Sequence, residues 1–514
     1  MQMTELAKTT SGGPASPGSP VSPISPGTNV HRGFSTRLKW GLGGGIGLAA
    51  ISLIAVALLW SRLVRERPQV FSDPAEAFKY GSIGTEKGTG FRIPLYLWQA
   101  LPEVFPDLLP GPAQKGYDGY RAFGFLFEPG HPVPVGLTVR TVGQPMVGLN
   151  CALCHAGGLR TSTTDAPRVI LGAPAHQLDL QAYFRFLWRA AADPRWNGRT
   201  LMAVIERDHP MDAIDRLLYR YLLIPKVKEK LIDFGRRMAW MDSRPDWGRG
   251  RIDPFNPVKF GILERPIDDT IGNADHAPVW NMGPRARGKK AMHWDGLASG
   301  DLREVVLSSA LGASTMPKEI PVEALGRIES YIEKLDAPRY PFSIDQALAN
   351  KGKALFDKDC ARCHAADGAL MGTVIPLSEV GTDRHRLDMW REPDANAYNG
   401  YAKKYPWGFS HFRNTGGYTA VPLDGIWMRA PYLHNGSVPS LVDLLEERRP
   451  PVFYRGSDLF DPTRVGFVSE EGNPARGPFK YDVSLPGNGN GGHLFGTRLS
   501  SAEKGQLVEY LKTL

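Results

Sequence analysis

Cysteine is nearly missing from this chain, with four among 514 residues. All four fall in two short motifs, Cys151–Ala152–Leu153–Cys154–His155 and Cys360–Ala361–Arg362–Cys363–His364. None is left over for a disulfide framework or a separate zinc site. Also missing is any basic run interleaved with aromatics. The net charge of +8, from 61 Lys and Arg against 53 Asp and Glu, is thin over this length and gives a mildly basic surface, with no nucleic-acid partner implied. Methionine is absent from a whole region: the chain has 13, and none follows Met428. What remains is ordinary for a globular protein, 42% hydrophobic and 22% charged. The length implies two or three domains.

The two motifs carry the chemistry. A bare CxxC fits a zinc ribbon or a redox dithiol. A histidine directly after the second cysteine, twice in one chain, is the pattern of covalent haem attachment. The thiols add to the two vinyl groups on one edge of the porphyrin, and the histidine reaches under the ring to the iron. The cofactors expected are two covalently attached haem c groups, with Cys151, Cys154, Cys360 and Cys363 as tethers and His155 and His364 as proximal iron ligands.

Along the chain, residues 1–40 open with a Pro/Ser/Gly-rich segment expected to be a disordered tail. Residues 41–60, GLGGGIGLAAISLIAVALLW, are twenty uncharged, mostly apolar positions and are expected to form one transmembrane anchor. No small-residue cleavage site follows them, which disfavours a removed signal peptide. Basic residues flank the stretch on both sides, so charge does not set its orientation. Haem attachment on the outer side of the bacterial plasma membrane does, and gives a single-pass inner-membrane protein with its haem domains in the periplasm.

An N-terminal haem domain is expected over 70–336 and a C-terminal cytochrome c domain over 344–514, split at the proline-bearing DAPRYPF. In the second, Asp345–Lys358 reads as a helix running into Cys360, and Ser500 with Glu503 forms a capping box for a closing helix bearing Leu507, Leu511 and Leu514. Gly352 would let these first and last helices cross closely. The N-terminal motif has no such leading helix, yet its domain also ends on a helical pattern, with Leu325, Ile328, Ile332 and Leu335 on one face. His293–Trp294–Asp295–Gly296 and His434–Asn435–Gly436 add a second echo. The order CxxCH, then [Trp/His]-[Asp/Asn]-Gly, then a closing helix occurs twice.

The segment Ala430–Pro431–Tyr432–Leu433–His434–Asn435–Gly436–Ser437 resembles the PY-x-H-[DN]-G signature of the bacterial dihaem cytochrome c peroxidase superfamily. The chain is more closely similar to the rubber-oxygenase-like dihaem cytochromes, through Tyr80–Gly81–Ser82–Ile83–Gly84, Gly250–Arg251–Ile252–Asp253, the HWDG segment and Gly492–His493–Leu494–Phe495–Gly496, over residues 78–514. The resemblance implies a mainly α fold of tandem cytochrome c-like domains with long irregular loops, one haem doing chemistry and the other passing electrons. In rubber oxygenases the N-terminal haem binds dioxygen and the C-terminal one has two histidine ligands. Peroxidases place a methionine on the second haem; its absence here fits the histidine version.

After His364 four histidines can complete the second iron: His385, His411, His434 and His493. His493 sits in a Gly-rich loop just before the closing helix and matches the family's distal-ligand position, so it is the expected sixth ligand. His434 is expected to be a hydrogen-bonding support for the haem site, and His385 and His411 are equally well read as surface residues. For the first iron, the other face is open or taken by His176, with Phe255, Trp280 and Trp294 as candidate linings. An open face favours dioxygen or peroxide chemistry. The function expected is electron transfer with a haem oxidoreductase activity, peroxidase-like or dioxygenase-like. The alternatives are a pure electron carrier and a haem-based sensor. A periplasmic or membrane electron carrier is the expected partner, with a small oxidant or a hydrophobic molecule as substrate.

Overall fold

The computed structural model describes residues 36–87, 92–111, 116–471 and 478–514. Most of the expected tail lies outside the described residues. The anchor expectation is corrected: among the described residues no helix is long and apolar enough to cross a membrane. Thr36–Leu63 is helical. Its end, Arg62, is held by Asp212 at 2.6 Å and Asp215 at 2.5 Å. The single-pass inner-membrane placement that rested on this anchor falls with it.

Residues 60–514 form one compact unit, helical for the most part. The N-terminal part is built around a four-stranded antiparallel sheet, ordered Glu66–Arg67, Leu137–Val142, Gln144–Leu149, Ile93–Pro94. The long hairpin turns at Gly143, whose φ of 71° suits glycine. Helices Leu180–Ala192 and Ile224–Met238 pack on each other, the first capped by Asp179 and burying Tyr183, Phe184, Phe186 and Leu187. Val322–Ile332 closes this part, with Leu325, Ile328 and Ile332 buried as the periodicity requires.

In the C-terminal part the leading helix is Gln346–Asp359, started by Asp345, whose carboxylate accepts from the backbone of Ala347 and Leu348. The closing helix is Ser501–Leu511, with the Ser500/Glu503 capping box formed. They cross at Gly352: a Cβ there would lie on the Gln506 carbonyl oxygen, 2.5 Å from its carbon and 3.0 Å from the Leu507 nitrogen.

Two hydrophobic cores result, and they are interleaved. The first holds most of the N-terminal apolar residues together with Trp390, Tyr398, Phe409 and Phe412. The second gathers Phe356, Trp427, Leu507 and Leu511 around Leu159, Ala173 and Trp280 from the N-terminal part. The internal echo is visible in the backbone. His293 and Gly296 have φ of 63° and 65°, and Leu433 and Gly436 have 69° and 63°. Trp294–Asp295–Gly296 and His434–Asn435–Gly436 therefore turn alike.

Candidate functional site

The first motif is delivered by a strand. Gln144–Leu149 runs into Asn150, whose side-chain oxygen caps the short 3-10 turn Cys151–Leu153 at the Ala152 N–H. The amide of Asn150 donates back to the Lys79 and Gly81 carbonyls, at 2.9 and 3.2 Å, and pins the turn. His155 follows with its Nδ1 2.8 Å from the Ala277 carbonyl. A ring whose Nδ1–H is engaged by a carbonyl presents Nε2 to a metal, the usual support of a histidine ligand. Burial pushes the Cys151 and Cys154 thiols up to about 12.

These residues open onto a cavity of about 1150 Å³, beyond the roughly 300–1,000 Å³ of ordinary ligand pockets. Phe255, Trp280 and Trp294 line it, as do Tyr398, Tyr401 and Tyr405 from the C-terminal part. His176 is not among its walls. It lies stacked on Phe467 at 3.7 Å between ring centres, with Nδ1 3.2 Å from the Pro174 carbonyl. Two histidines that sequence reasoning passed over line the cavity instead, His276 and His293. Both ring nitrogens of His276, and Nε2 of His293, are buried without a hydrogen-bond partner. Burial pushes these imidazoles down, to about 3 and about 4, so both are neutral. His276 sits next to Ala277, on the side from which His155 is held. His293 packs between Phe255 and Phe412, each 6.3 Å away.

The second motif follows the leading helix directly. Cys360 caps it with its N–H on the Phe356 carbonyl, and Ala361–His364 forms one further turn. His364 Nδ1 lies 2.7 Å from the Val421 carbonyl, repeating the arrangement at His155. Opposite it stands His493, with ring centres 6.1 Å apart. Metal–imidazole bonds of about 2 Å on each side of an ion place two ring centres about 6 Å apart, so the space between these rings fits one iron. His493 is set there by a clamped loop. Its N–H donates to the Val380 carbonyl at 2.6 Å. Its carbonyl accepts from Arg449, which also holds the carbonyls of Asn490 and Gly492. Gly492 rests on the backbone of Gly381 and Thr382, where no Cβ fits. Burial first, then the neighbouring His364, pushes the His493 imidazole down to about 4, neutral and free to ligate.

His434 is elsewhere. It is buried, stacked on Tyr418 at 4.0 Å, with Nε2 2.9 Å from the Tyr418 hydroxyl. Its carbonyl accepts from the Asp275 N–H at 2.8 Å, so it ties the two parts of the chain together. His385 and His411 pair with Asp383 and Glu304 at partly exposed positions. Among the described residues one further cluster has the make-up of a metal site, Glu76, Glu128 and His131. The Lys79 ammonium occupies it, 2.5 Å from Glu76 and 2.6 Å from Glu128.

Residues 349–427 match the cytochrome c family, and residues 417–455 match the family described as RoxA-like, cytochrome c-like. The matched segments hold Cys360, Cys363, His364, Val421 and His434. Two curated relatives come from Sinorhizobium fredii. The uncharacterized protein y4iJ is 26% identical over 82% of this chain and 89% of its own length. The uncharacterized protein y4iM is 30% identical over 44% of this chain and 57% of its own. The chain is thus a c-type cytochrome related to RoxA-like proteins. A cytochrome c domain implies covalently bound haem c, its iron and electron transfer.

Proposed function

We propose that this c-type cytochrome carries two haems with divided work. The one at Cys151, Cys154 and His155 keeps a face for dioxygen or peroxide, and the one at Cys360, Cys363 and His364, completed by His493, supplies it with electrons. The observation that carries the reading is the difference between the sites. His493 stands at iron-spanning distance from His364, whereas among the described residues no ring is paired with His155 in this way. Two strong axial ligands favour electron transfer, and a free position favours small-molecule binding.

Bound haem supplies the redox iron, and the protein supplies the rest. The Ala277 and Val421 carbonyls fix the tautomer and orientation of the two proximal imidazoles. The Arg449 clamp fixes His493. Phe255, Trp280 and Trp294 give the first site a largely apolar wall, which suits a small oxidant or a hydrophobic substrate. Electrons come from a carrier protein that meets the second site, in the division of labour of dihaem peroxidases.

Carbon monoxide added to the reduced full-length protein tests this by absorption spectroscopy. About half of the haem should shift its Soret band. A response of all the haem would remove His493 from the second iron, and no response would leave a pure electron carrier, with a ligand such as His293 on the first.

A further inference from the structure

Three buried guanidinium groups, of Arg285, Arg386 and Arg429, line the first cavity. A buried charge without a counter-charge is costly, so each should have a partner. Arg386 has one, Asp295 at 3.1 Å. Among the described residues, Arg285 and Arg429 form no ion pair. Arg285 gives Nη2 to the Ala291 carbonyl at 2.6 Å and leaves Nε buried and unpaired. Arg429 gives Nε at 2.9 Å and also Nη2 to the Asp424 carbonyl, and Nη1 to the Pro422 carbonyl at 2.8 Å. The Asp424 carboxylate accepts instead from Asn281 at 2.7 Å. Burial lowers both guanidiniums only to about 10, so both stay cationic at neutral pH.

Two cations that share one carboxylate, Asp424, without an ion-pair contact to it therefore face one cavity, and a haem carries two carboxylate arms. The same segment also reaches the other site. Pro422, which accepts from Arg429, follows Val421, whose carbonyl holds His364. Val421 and Pro422 both line the first cavity. We propose that Arg285 and Arg429 bind the two propionates of the first haem, and that Arg429, through Pro422 and Val421, joins that site to the His364 imidazole. This rests on the reading that the first cavity holds a haem.

The test uses the full-length holoprotein and the variants Arg285→Gln, Arg429→Gln and Arg429→Lys, with the exposed Arg207→Gln as control. Midpoint potentials of both haems are read by spectroelectrochemistry, and the propionate bending band by resonance Raman. Loss of a cation beside a haem favours the ferric state. Both Gln variants should lower the first potential and move its propionate band. Arg429→Gln should also lower the second potential, by less, and Arg285→Gln should not. Arg429→Lys should keep the first potential near its original value yet move the band, because the planar fork is lost. Should Arg429→Gln fail to accumulate, the other two variants decide. Two haems by mass with the first potential and band unchanged in the variants would overturn the propionate site. An unmoved second potential in Arg429→Gln would overturn the link to His364. A wild-type mass with a single haem would instead overturn the underlying reading.

Discussion

Gly352→Ala should weaken the second haem site through one methyl group. The added Cβ would meet the Gln506 carbonyl and the Leu507 nitrogen. Both are backbone atoms of the closing helix, and no side chain can swing away to make room. Overpacking costs about 1–3 kcal/mol, and a rigid backbone neighbour puts this site at the top of that range. Alanine returns about 1 kcal/mol of helix propensity over glycine, which leaves a net loss of about 2 kcal/mol. At about 1.4 kcal/mol per factor of ten, that is roughly a 30-fold shift toward the open state of this helix pair. Gly505→Ala is the internal control. It makes the same change one residue away from Gln506, at an exposed point of the closing helix where nothing lies within 4 Å of the new Cβ. That variant should gain up to about 1 kcal/mol. Guanidinium titration of both proteins, followed by the low-spin Soret band, reads the two signs directly. Equal stability of Gly352→Ala and wild type would refute the close crossing.

Other outcomes follow from the same geometry. Replacing Cys151 and Cys154 by alanine should remove one covalent haem by mass spectrometry and leave one; two haems retained would refute the first attachment site. His493→Ala should turn a low-spin signal to high spin in electron paramagnetic resonance with both haems still attached, and an unchanged signal would remove His493 from the iron. His293→Phe should shift the carbon monoxide stretch of the first haem, since a neutral imidazole on the wall polarises a bound diatomic and a phenyl ring does not; an unmoved band would place His293 away from the ligand. Arg455 and Asp275 form a buried ion pair, and Arg455→Leu should cost about 3–5 kcal/mol by taking away the carboxylate's direct partner. These two residues are 2% and 4% exposed, and a double change to leucine should recover much of the loss in a thermal melt.

The parts of this molecule written in local spacing were legible. The CxxCH motifs, the helix into Cys360, the Ser500/Glu503 cap and the Gly352 crossing each depend on residues a few positions apart or on one small side chain. What was missed depends on distant contacts. The Ala277 and Val421 carbonyls that orient the proximal rings are backbone atoms and leave no mark in side-chain identity. His176 is the nearest histidine after His155 in sequence, but the chain carries it to Phe467 and brings His276 and His293 to the cavity. His293 stood inside the HWDG echo, and the left-handed turn it shares with Leu433 is the physical content of that echo. Arg285 and Arg429 are unremarkable in sequence and become informative only once buried together.

The interleaved cores also set a timetable for synthesis. Tyr398 and Tyr405 help wall the first cavity, yet they leave the ribosome roughly 240 residues after His155. At about 5–20 residues per second, the first motif waits tens of seconds before its far wall exists. During that interval Cys151 and Cys154 stand in an unfinished pocket. Once residues 390–412 pack onto the first core, the wall of that cavity is complete. The pocket behind the second motif has a shorter interval, ended when helix Ser501–Leu511 arrives. The two pockets thus close in order from the amino end.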